Sequence, residues 1–296
     1  MRALALALWC VWVSAALAAD GGHAGHGQAG SGHEGHGPGL SAAWTDLPLI
    51  EAVPGRDRSS ATFHLSQLSA GEVKAYAPGD QAPLPEGVRF KADRLEWEIP
   101  VRNGRFRLES TGVGNYHWLQ AREETPESVK VASTAHFFSN PGPAPTAMLA
   151  RPKTELEIVP TPLPREHNRY RAGEEWDFAL RFRGQPLAGA TLQWISDAGT
   201  RASFTSDAAG QARVRFPADV RPAAGQRAQH GRGAANRFVL AVEHTVDGRR
   251  YLTAFNGSYA ENAFARRSLL WGSGFLVVGG LLGLPLIVRR KETRHA

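Results

Sequence analysis

The stretch FVLAVEHTVDGRRYLTAF, residues 238–255, indicates the fold of this chain. Two runs rich in valine, leucine, threonine and aromatic residues lie on either side of Asp247-Gly248. Asp-Gly between two such runs is typical of a two-residue β-hairpin turn, because both central residues of that turn need positive φ. We therefore predict an antiparallel pair of strands over residues 238–246 and 251–255.

Five more strand-like runs precede this hairpin. They cover residues 156–159, 176–180, 190–194, 202–205 and 212–216. Seven strands in about 105 residues are typical of an immunoglobulin-like β-sandwich. The sequence therefore predicts such a domain over 151–260, with a Gly/Ala/Arg-rich loop at 223–235.

A second β-rich region precedes this domain. Residues 95–99 alternate apolar and polar side chains, Asn103-Gly104 gives another hairpin signal, and residues 106–108 continue the pattern. Residues 116–121 and 129–138 are further strand candidates. We predict a β-sandwich domain over 58–150 that closes in a loop at 140–145, where three prolines remove backbone donors.

Both ends of the chain have the composition of membrane-targeting segments. Residues 1–19 combine a basic start, a short apolar core and small residues, which is typical of a cleavable signal peptide. Residues 268–288 contain no charge and are long enough to cross a bilayer as one helix. Basic residues follow at once, so we expect 289–296 to be a cytoplasmic tail and the main body to be periplasmic.

Composition excludes several classes of function. The net charge is +6, but part of it flanks the two apolar ends and the rest is interleaved with acidic residues, so we expect no nucleic-acid partner. Cys10 is the only cysteine and lies in the signal peptide, which excludes disulfides and thiolate sites in the mature chain. The sequence has no phosphate-binding loop, dinucleotide fingerprint or serine-nucleophile elbow, so we expect no enzyme.

The segment after the signal peptide holds the most specific chemical pattern. Residues 20–57 are predicted to be a disordered His/Gly-rich segment and a linker, since their first half lacks the apolar bulk to fold. Two H-x-x-H pairs lie in it: His23, His26, His33 and His36. Neutral imidazole binds Ni, Co, Cu or Zn, and the surrounding glycines let the backbone wrap an ion. The alternative is a polar linker without a ligand.

Three other histidines lie in predicted strands beside aromatic residues. They are His64, His117 and His136. Imidazoles from separate strands can converge on one ion. The alternative is that each is a surface or hydrogen-bonded residue of the sheet.

Several short runs resemble one family of periplasmic proteins. They are GNYHW at 114–118, VKVASTAH at 129–136, LEIVP at 156–160, RAGE at 171–174, RGQPLAGA at 183–190 and TSDAAGQA at 205–212. The pattern resembles the family described as a component of cobalt and nickel uptake systems, often called NikM-like, over roughly residues 60–255. The resemblance implies a β-sandwich fold and a link to transition-metal uptake, with His136 at the matching strand histidine. The histidine-rich segment and the terminal anchor depart from that pattern.

We therefore predict an all-β protein with two β-sandwich domains, the second immunoglobulin-like, held in the bacterial inner membrane by one helix. The predicted function is a periplasmic metal-binding accessory protein for nickel or cobalt, or for copper or zinc. Its expected partners are a divalent transition metal, the membrane and a transporter membrane subunit. The alternative is a non-catalytic envelope scaffold or protein-interaction module.

Overall fold

A computed structural model describes residues 44–55, 57–78, 95–111, 116–138, 144–164, 169–220 and 235–262. This part of the chain is almost entirely β-structure. Its elements in chain order are β1 (Leu49–Val53), β2 (Ser60–Ser66), β3 (Glu72–Tyr76), β4 (Glu96–Pro100), β5 (Arg105–Glu109), β6 (Tyr116–Glu124), β7 (Ser128–Phe137), α1 (Thr146–Ala150), β8 (Leu156–Pro160), β9 (Tyr170–Arg171), β10 (Glu175–Phe182), β11 (Gln185–Pro186), β12 (Thr191–Ser196), β13 (Arg201–Thr205), β14 (Gln211–Arg215), β15 (Ala235–Val246) and β16 (Arg249–Ala260).

One nine-stranded sheet runs through the whole described region. Its strand order is β13-β12-β15-β16-β7-β6-β3-β4, with β9 paired to β16. The junction between its halves is a parallel ladder, in which β16 pairs with β7 from Arg250 opposite Ser128 to Asn256 opposite Thr134. Strands from both predicted domains, 58–150 and 151–260, therefore lie in one continuous sheet.

A smaller sheet covers one face of the β4-β3-β6-β7 half. It contains β1, β2 and β5 in the order β1-β2-β5. The core between the two layers includes Phe63, Phe106, Leu108 and Leu119, each at most 4% exposed. These two layers form the first β-sandwich.

A four-stranded sheet forms the second β-sandwich with the β12-β15-β16 half. It contains β8, β10, β11 and β14. Trp194 lies in the middle of this core, with ring centroids 4.7 Å from both Phe216 and Phe238, and it is fully buried. All seven strands predicted between residues 151 and 260 are present, and the sandwich architecture is confirmed.

The two predicted hairpin turns have different outcomes. Asp247 and Gly248 adopt positive φ and join β15 to β16 in a full antiparallel ladder, as predicted. Asn103 and Gly104 also adopt positive φ, and Arg102 and Arg105 exchange two backbone hydrogen bonds around them. However, β4 and β5 then diverge into different sheets, so this hairpin is one bridge long.

Three features of the ends and connections differ from the expectations or lie beyond the described residues. Strand β1 lies within the range 20–57 that the sequence indicates to be a disordered segment and linker. The short helix α1 was not expected, and it follows the proline-rich run. Within the described ranges, none of the helical segments could span a lipid bilayer. The predicted signal peptide, span 268–288 and tail lie outside them.

Candidate metal-binding histidines

The predicted metal ligands fall into three groups in the structure. His23, His26, His33 and His36 lie outside the described residues. His117 and His136 come together within the first sandwich, and His64 lies elsewhere on it.

His117 and His136 form a cross-strand pair. They are directly opposite each other in the antiparallel ladder of β6 and β7. Directly opposed residues project from the same face of a sheet with their Cβ atoms about 4.5–5.5 Å apart. The face that carries this pair is the one covered by β1, β2 and β5, because it also carries Leu119 and Ala132 of that core.

The histidine pair lies among aromatic rings. The His117 ring has edge contacts with Trp97 and Phe138 at centroid distances of 5.8 and 5.5 Å. The His136 ring has similar contacts with Phe63 at 5.2 Å and Phe138 at 4.8 Å. This burial lowers the pKa of His136 to about 4, so its imidazole is neutral at neutral pH.

His64 lies on the opposite side of the small sheet. Its neighbour Phe63 points into the core, and successive side chains of a strand point to opposite faces. The His64 ring lies 3.2 Å from the Ser66 hydroxyl through Nδ1, and Ser66 donates a hydrogen bond to Glu51. Of the three strand histidines, His117 and His136 therefore lie together, and His64 lies apart from them.

The described part of the chain holds no group of three or more His, Cys, Asp or Glu side chains placed to bind a metal ion. The neighbouring histidines at 117 and 136 offer two imidazoles and aromatic surroundings, which is fewer ligands than a four-coordinate zinc site requires. The folded region thus supplies two neighbouring imidazoles, and the four-histidine tract is the richer set of ligands.

A charged groove lies where the β3-β6 part of the large sheet meets the segment before β8. Its volume is about 960 Å³, and its lining includes Lys74, Gln120, Arg122, Lys153 and Glu155. The Arg122 guanidinium donates to both Glu155 oxygens, at 2.5 and 3.0 Å. This hydrogen bonding lowers the pKa of the Glu155 carboxyl to about 2.

Lys153 is the cation of this groove whose pKa burial lowers. Its ammonium donates to the Arg151 carbonyl at 2.7 Å and lies over the rings of Trp118 and Tyr76, 5.2 and 5.9 Å from their centroids. Burial lowers the pKa of Lys153 to about 8. Perturbed lysines in a cleft are typical of binding sites, although structural ion pairs also perturb pKa values.

A buried carboxylate lies behind this lysine. Glu157 on β8 is 4% exposed, accepts a hydrogen bond from the Lys153 backbone amide and lies 3.6 Å from Nε of Arg181. Burial raises the pKa of Glu157. Its pairing with Arg181 therefore matters for stability, because a buried charge needs a compensating partner.

Sequence reasoning missed the groove but had a signal for the histidine pair. The groove is lined by residues from β3, β6 and the segment before β8, and no spacing pattern in the sequence predicts it. The pair follows from the turn at Pro126-Glu127, where the Thr125 amide donates to the Ser128 carbonyl. A two-residue turn there fixes the register of β6 and β7 and places residue 117 opposite residue 136.

Comparisons with known proteins give structural similarities only. No protein-family profile matches the chain, and no curated protein matches it. Among solved structures, it is similar to the two fibronectin type-III domain segment from chicken tenascin, with 9% identity and a TM-score of 0.21, covering 72% of this chain and 98% of that one. The chicken CNTN1 FN1-FN3 domains give 8% identity and 0.19, covering 72% and 68%. A chimeric titin Z1Z2 tandem gives 12% and 0.19, covering 73% and 97%.

These identities and TM-scores bear on neither the function nor the site. The sheets and their strand order show the β-sandwich fold directly. The resemblance to the NikM-like family stays a prediction, and so do the metal and transport functions that it implies.

Proposed function

We propose that this chain is a membrane-anchored periplasmic accessory protein that captures a divalent transition metal, linked to nickel or cobalt transport, or to copper or zinc. The ligands are the imidazoles of His23, His26, His33 and His36. The observation that carries the proposal is their arrangement as two H-x-x-H pairs among Gly, Ala and Ser, directly after a predicted signal peptide.

The chemistry of imidazole supports this role. With an ordinary pKa near 6.5, imidazole is largely neutral at neutral pH and can donate a ring nitrogen to a metal. Four imidazoles within fourteen residues, from 23 to 36, allow several combinations of ligands around one ion. Because closing such short loops costs only modest chain entropy, we expect moderate affinity and fast exchange.

In this proposal the folded region is a scaffold and the tract binds the metal. It contains two sandwiches that share one sheet, and its own histidine pair at 117 and 136 is enclosed by aromatic rings. No bond is made or broken in the proposed function. The protein raises the local concentration of the ion beside a transporter subunit.

Equilibrium dialysis of the full chain in detergent tests this function. The chain is dialysed against Ni, Co, Cu and Zn at pH 7.5, and bound metal is counted per chain. The variant His23→Gln/His26→Gln/His33→Gln/His36→Gln should lose the bound ion. The matched control His167→Gln/His230→Gln/His244→Gln/His295→Gln removes as many imidazoles and should keep it.

A chain that binds no metal, or a tract variant that binds as much as the control, would refute the proposal. Lowering the pH to 5 should release the ion, because protonated imidazole is not a ligand. Binding that persists at pH 5 would point to carboxylate ligands instead.

The second candidate function is a non-catalytic interaction module of the envelope. The observation that favours it is the charged groove lined by Arg122, Lys153 and Glu155, which is a polar surface suited to a polar partner. A partner that co-purifies in the presence of a chelator and is lost on Lys153→Gln would favour this candidate over metal capture.

A further inference from the structure

The floor of the charged groove is one face of the β4-β3-β6 part of the large sheet. Lys74 on β3 is opposite Glu98 on β4 and opposite Gln120 on β6. Directly opposed residues project from the same face, so these three side chains form one row across the sheet. All three line the groove, and the segment 152–155 lines its other side.

Gln120 is a buried amide that lines this groove. It is 6% exposed, and its Oε1 accepts a hydrogen bond from the Tyr76 hydroxyl at 3.2 Å. That bond turns the amide oxygen towards Tyr76, so the amide nitrogen lies on the other side of the group. Within the described residues, this nitrogen donates no hydrogen bond. A ligand oxygen in the groove would therefore satisfy a buried donor.

Lys153 supplies a positive charge beside this amide. Its ammonium lies over the rings of Trp118 and Tyr76, so Tyr76 contacts the ammonium through its ring and Gln120 through its hydroxyl. An ammonium has three N–H donors, and this one donates a single hydrogen bond, to the Arg151 carbonyl. Among the described carboxylates, none forms an ion pair with it. A carboxylate that accepts from both donors would compensate this charge.

The two cations of the floor are already paired with acidic residues. Arg122 donates to Glu124 at 2.8 Å and to Glu155 at 3.0 Å. Lys74 donates to Glu96 at 2.9 Å, and Glu96 lies in the next row of the sheet. The ammonium of Lys153 is therefore the cation that a carboxylate in this part of the groove would meet.

Glu98 supplies the opposite charge at the outer end of the row. It is exposed on β4, the last strand in the order of the large sheet. No cation of the described part of the chain forms an ion pair with it. Neighbouring strands are about 4.8 Å apart, so two strand spacings place Glu98 about 10 Å from Gln120.

We propose that this groove binds a short peptide with two free termini, whose carboxylate accepts hydrogen bonds from Lys153 and Gln120 and whose terminal ammonium lies beside Glu98. An extended chain covers about 3.3–3.6 Å per residue, so three residues span the roughly 10 Å of the row. The groove volume of about 960 Å³ accommodates a ligand of this size. The inference rests on the second candidate function, an interaction module, and is independent of metal capture by the tract.

Isothermal titration calorimetry of the metal-free full chain in detergent tests this site. The probe is trialanine with free termini, and the matched probes are its carboxamide and its N-acetyl form. At pH 7 the Lys153 ammonium is charged, since its pKa is about 8. We expect the free peptide to bind and each blocked form to bind about tenfold more weakly, because each lacks one charged end.

Single-residue variants test which residues hold each end. Gln120→Glu keeps an acceptor for the Tyr76 hydroxyl but replaces the amide donors by a carboxylate, so the free peptide should bind about tenfold more weakly or less. Glu98→Gln, at an exposed position, should weaken the free peptide and leave the N-acetyl peptide unchanged. Gln193→Glu makes the same change at an exposed residue of β12 and should bind like the native chain.

A native chain that binds no trialanine, or binds the carboxamide as tightly as the free acid, would overturn this site. Equal weakening of the free and N-acetyl peptides by Glu98→Gln would overturn the placement of the ammonium. Failure of this ligand remains distinguishable from failure of the candidate function. A protein that still co-purifies and is lost on Lys153→Gln would refute the peptide ligand alone, whereas the absence of any such partner would refute the interaction module.

Discussion

Replacing Asn256 by alanine should destabilise the chain strongly for a single polar residue. The Asn256 amide is 9% exposed and makes two hydrogen bonds with the backbone of Ile50, one as donor and one as acceptor. It joins β1 of the small sheet to β16 of the large sheet, residues that are 206 positions apart in sequence.

The expected magnitude follows from the two backbone groups that the substitution leaves without hydrogen-bond partners. The Ile50 amide and carbonyl would lose their partners while the residue itself stays 1% exposed. A buried polar group left without a hydrogen bond costs about 1–3 kcal/mol. We therefore expect a loss of about 2–4 kcal/mol in the free energy of unfolding, allowing for some relaxation.

Urea unfolding followed by tryptophan fluorescence measures this loss. Asn236→Ala is the matched control, since that amide makes one bond, to the Tyr259 hydroxyl at 3.2 Å, and should cost at most about 1 kcal/mol. Amide hydrogen exchange should also become faster over residues 49–53. An unfolding midpoint equal to that of the control, with unchanged exchange, would refute the role of Asn256 as the link between the sheets.

Three further predictions concern other described residues. The pKa of His136 is lowered to about 4 by burial, against 6.5 when unfolded, so stability should fall as the pH drops from about 6.5 to 4, by at most about 3 kcal/mol for this partly exposed ring. His136→Gln should remove that part of the pH dependence in urea titrations. Arg181→Ala leaves the buried Glu157 carboxylate without its paired guanidinium and should lower the free energy of unfolding in urea by about 3–5 kcal/mol. Arg213→Ala breaks an exposed pair and should lower it by about 1 kcal/mol or less. Equal losses in the two variants would contradict this reasoning. Gly210→Ala places a Cβ 2.7 Å from the Leu180 carbonyl oxygen at a φ of +72°. Gly248→Ala has open space around the Cβ at a φ of +76°, so it carries only the cost of a left-handed backbone conformation, about 1–2 kcal/mol. The melting temperature of Gly210→Ala should therefore be well below that of Gly248→Ala.

Local sequence signals predicted most strands but not their assignment to sheets. Asp247-Gly248 specified both a turn and the ladder around it, because β15 and β16 pair continuously from Val246 opposite Arg249 to Ala235 opposite Ala260. Asn103-Gly104 specified an equally good turn, yet β4 and β5 join different sheets. Turn chemistry acts on neighbouring residues, whereas the choice of sheet depends on burial against distant strands.

The shared sheet was beyond prediction from sequence patterns. The parallel ladder of β7 and β16 joins residues about 120 positions apart, such as Thr134 and Asn256. No turn motif or periodicity connects two such strands, since a parallel pair needs a long crossover connection. Two separate sandwiches were therefore the natural expectation, and the structure joins them through one sheet.

Some candidate metal ligands could likewise be predicted from a local pattern, whereas the arrangement of others depends on strand pairing. The tract at 23–36 is visible in the sequence because its pattern is local. The pairing of His117 with His136 needed the register set by the turn at Pro126-Glu127, which the sequence contains. To separate His64 from the other two histidines, one must know that Phe63 points into the core. The sequence alone is compatible with either Phe63 or His64 on the core face.

X-ray absorption at the zinc edge tests the proposed metal capture most directly. The full chain is loaded with one equivalent of zinc at pH 7.5 and compared with the four-glutamine tract variant. We predict imidazole nitrogens at about 2.0–2.1 Å from the metal in the native chain and their loss in the variant. A first shell made only of oxygen, or an unchanged shell in the variant, would contradict metal capture by the histidine tract.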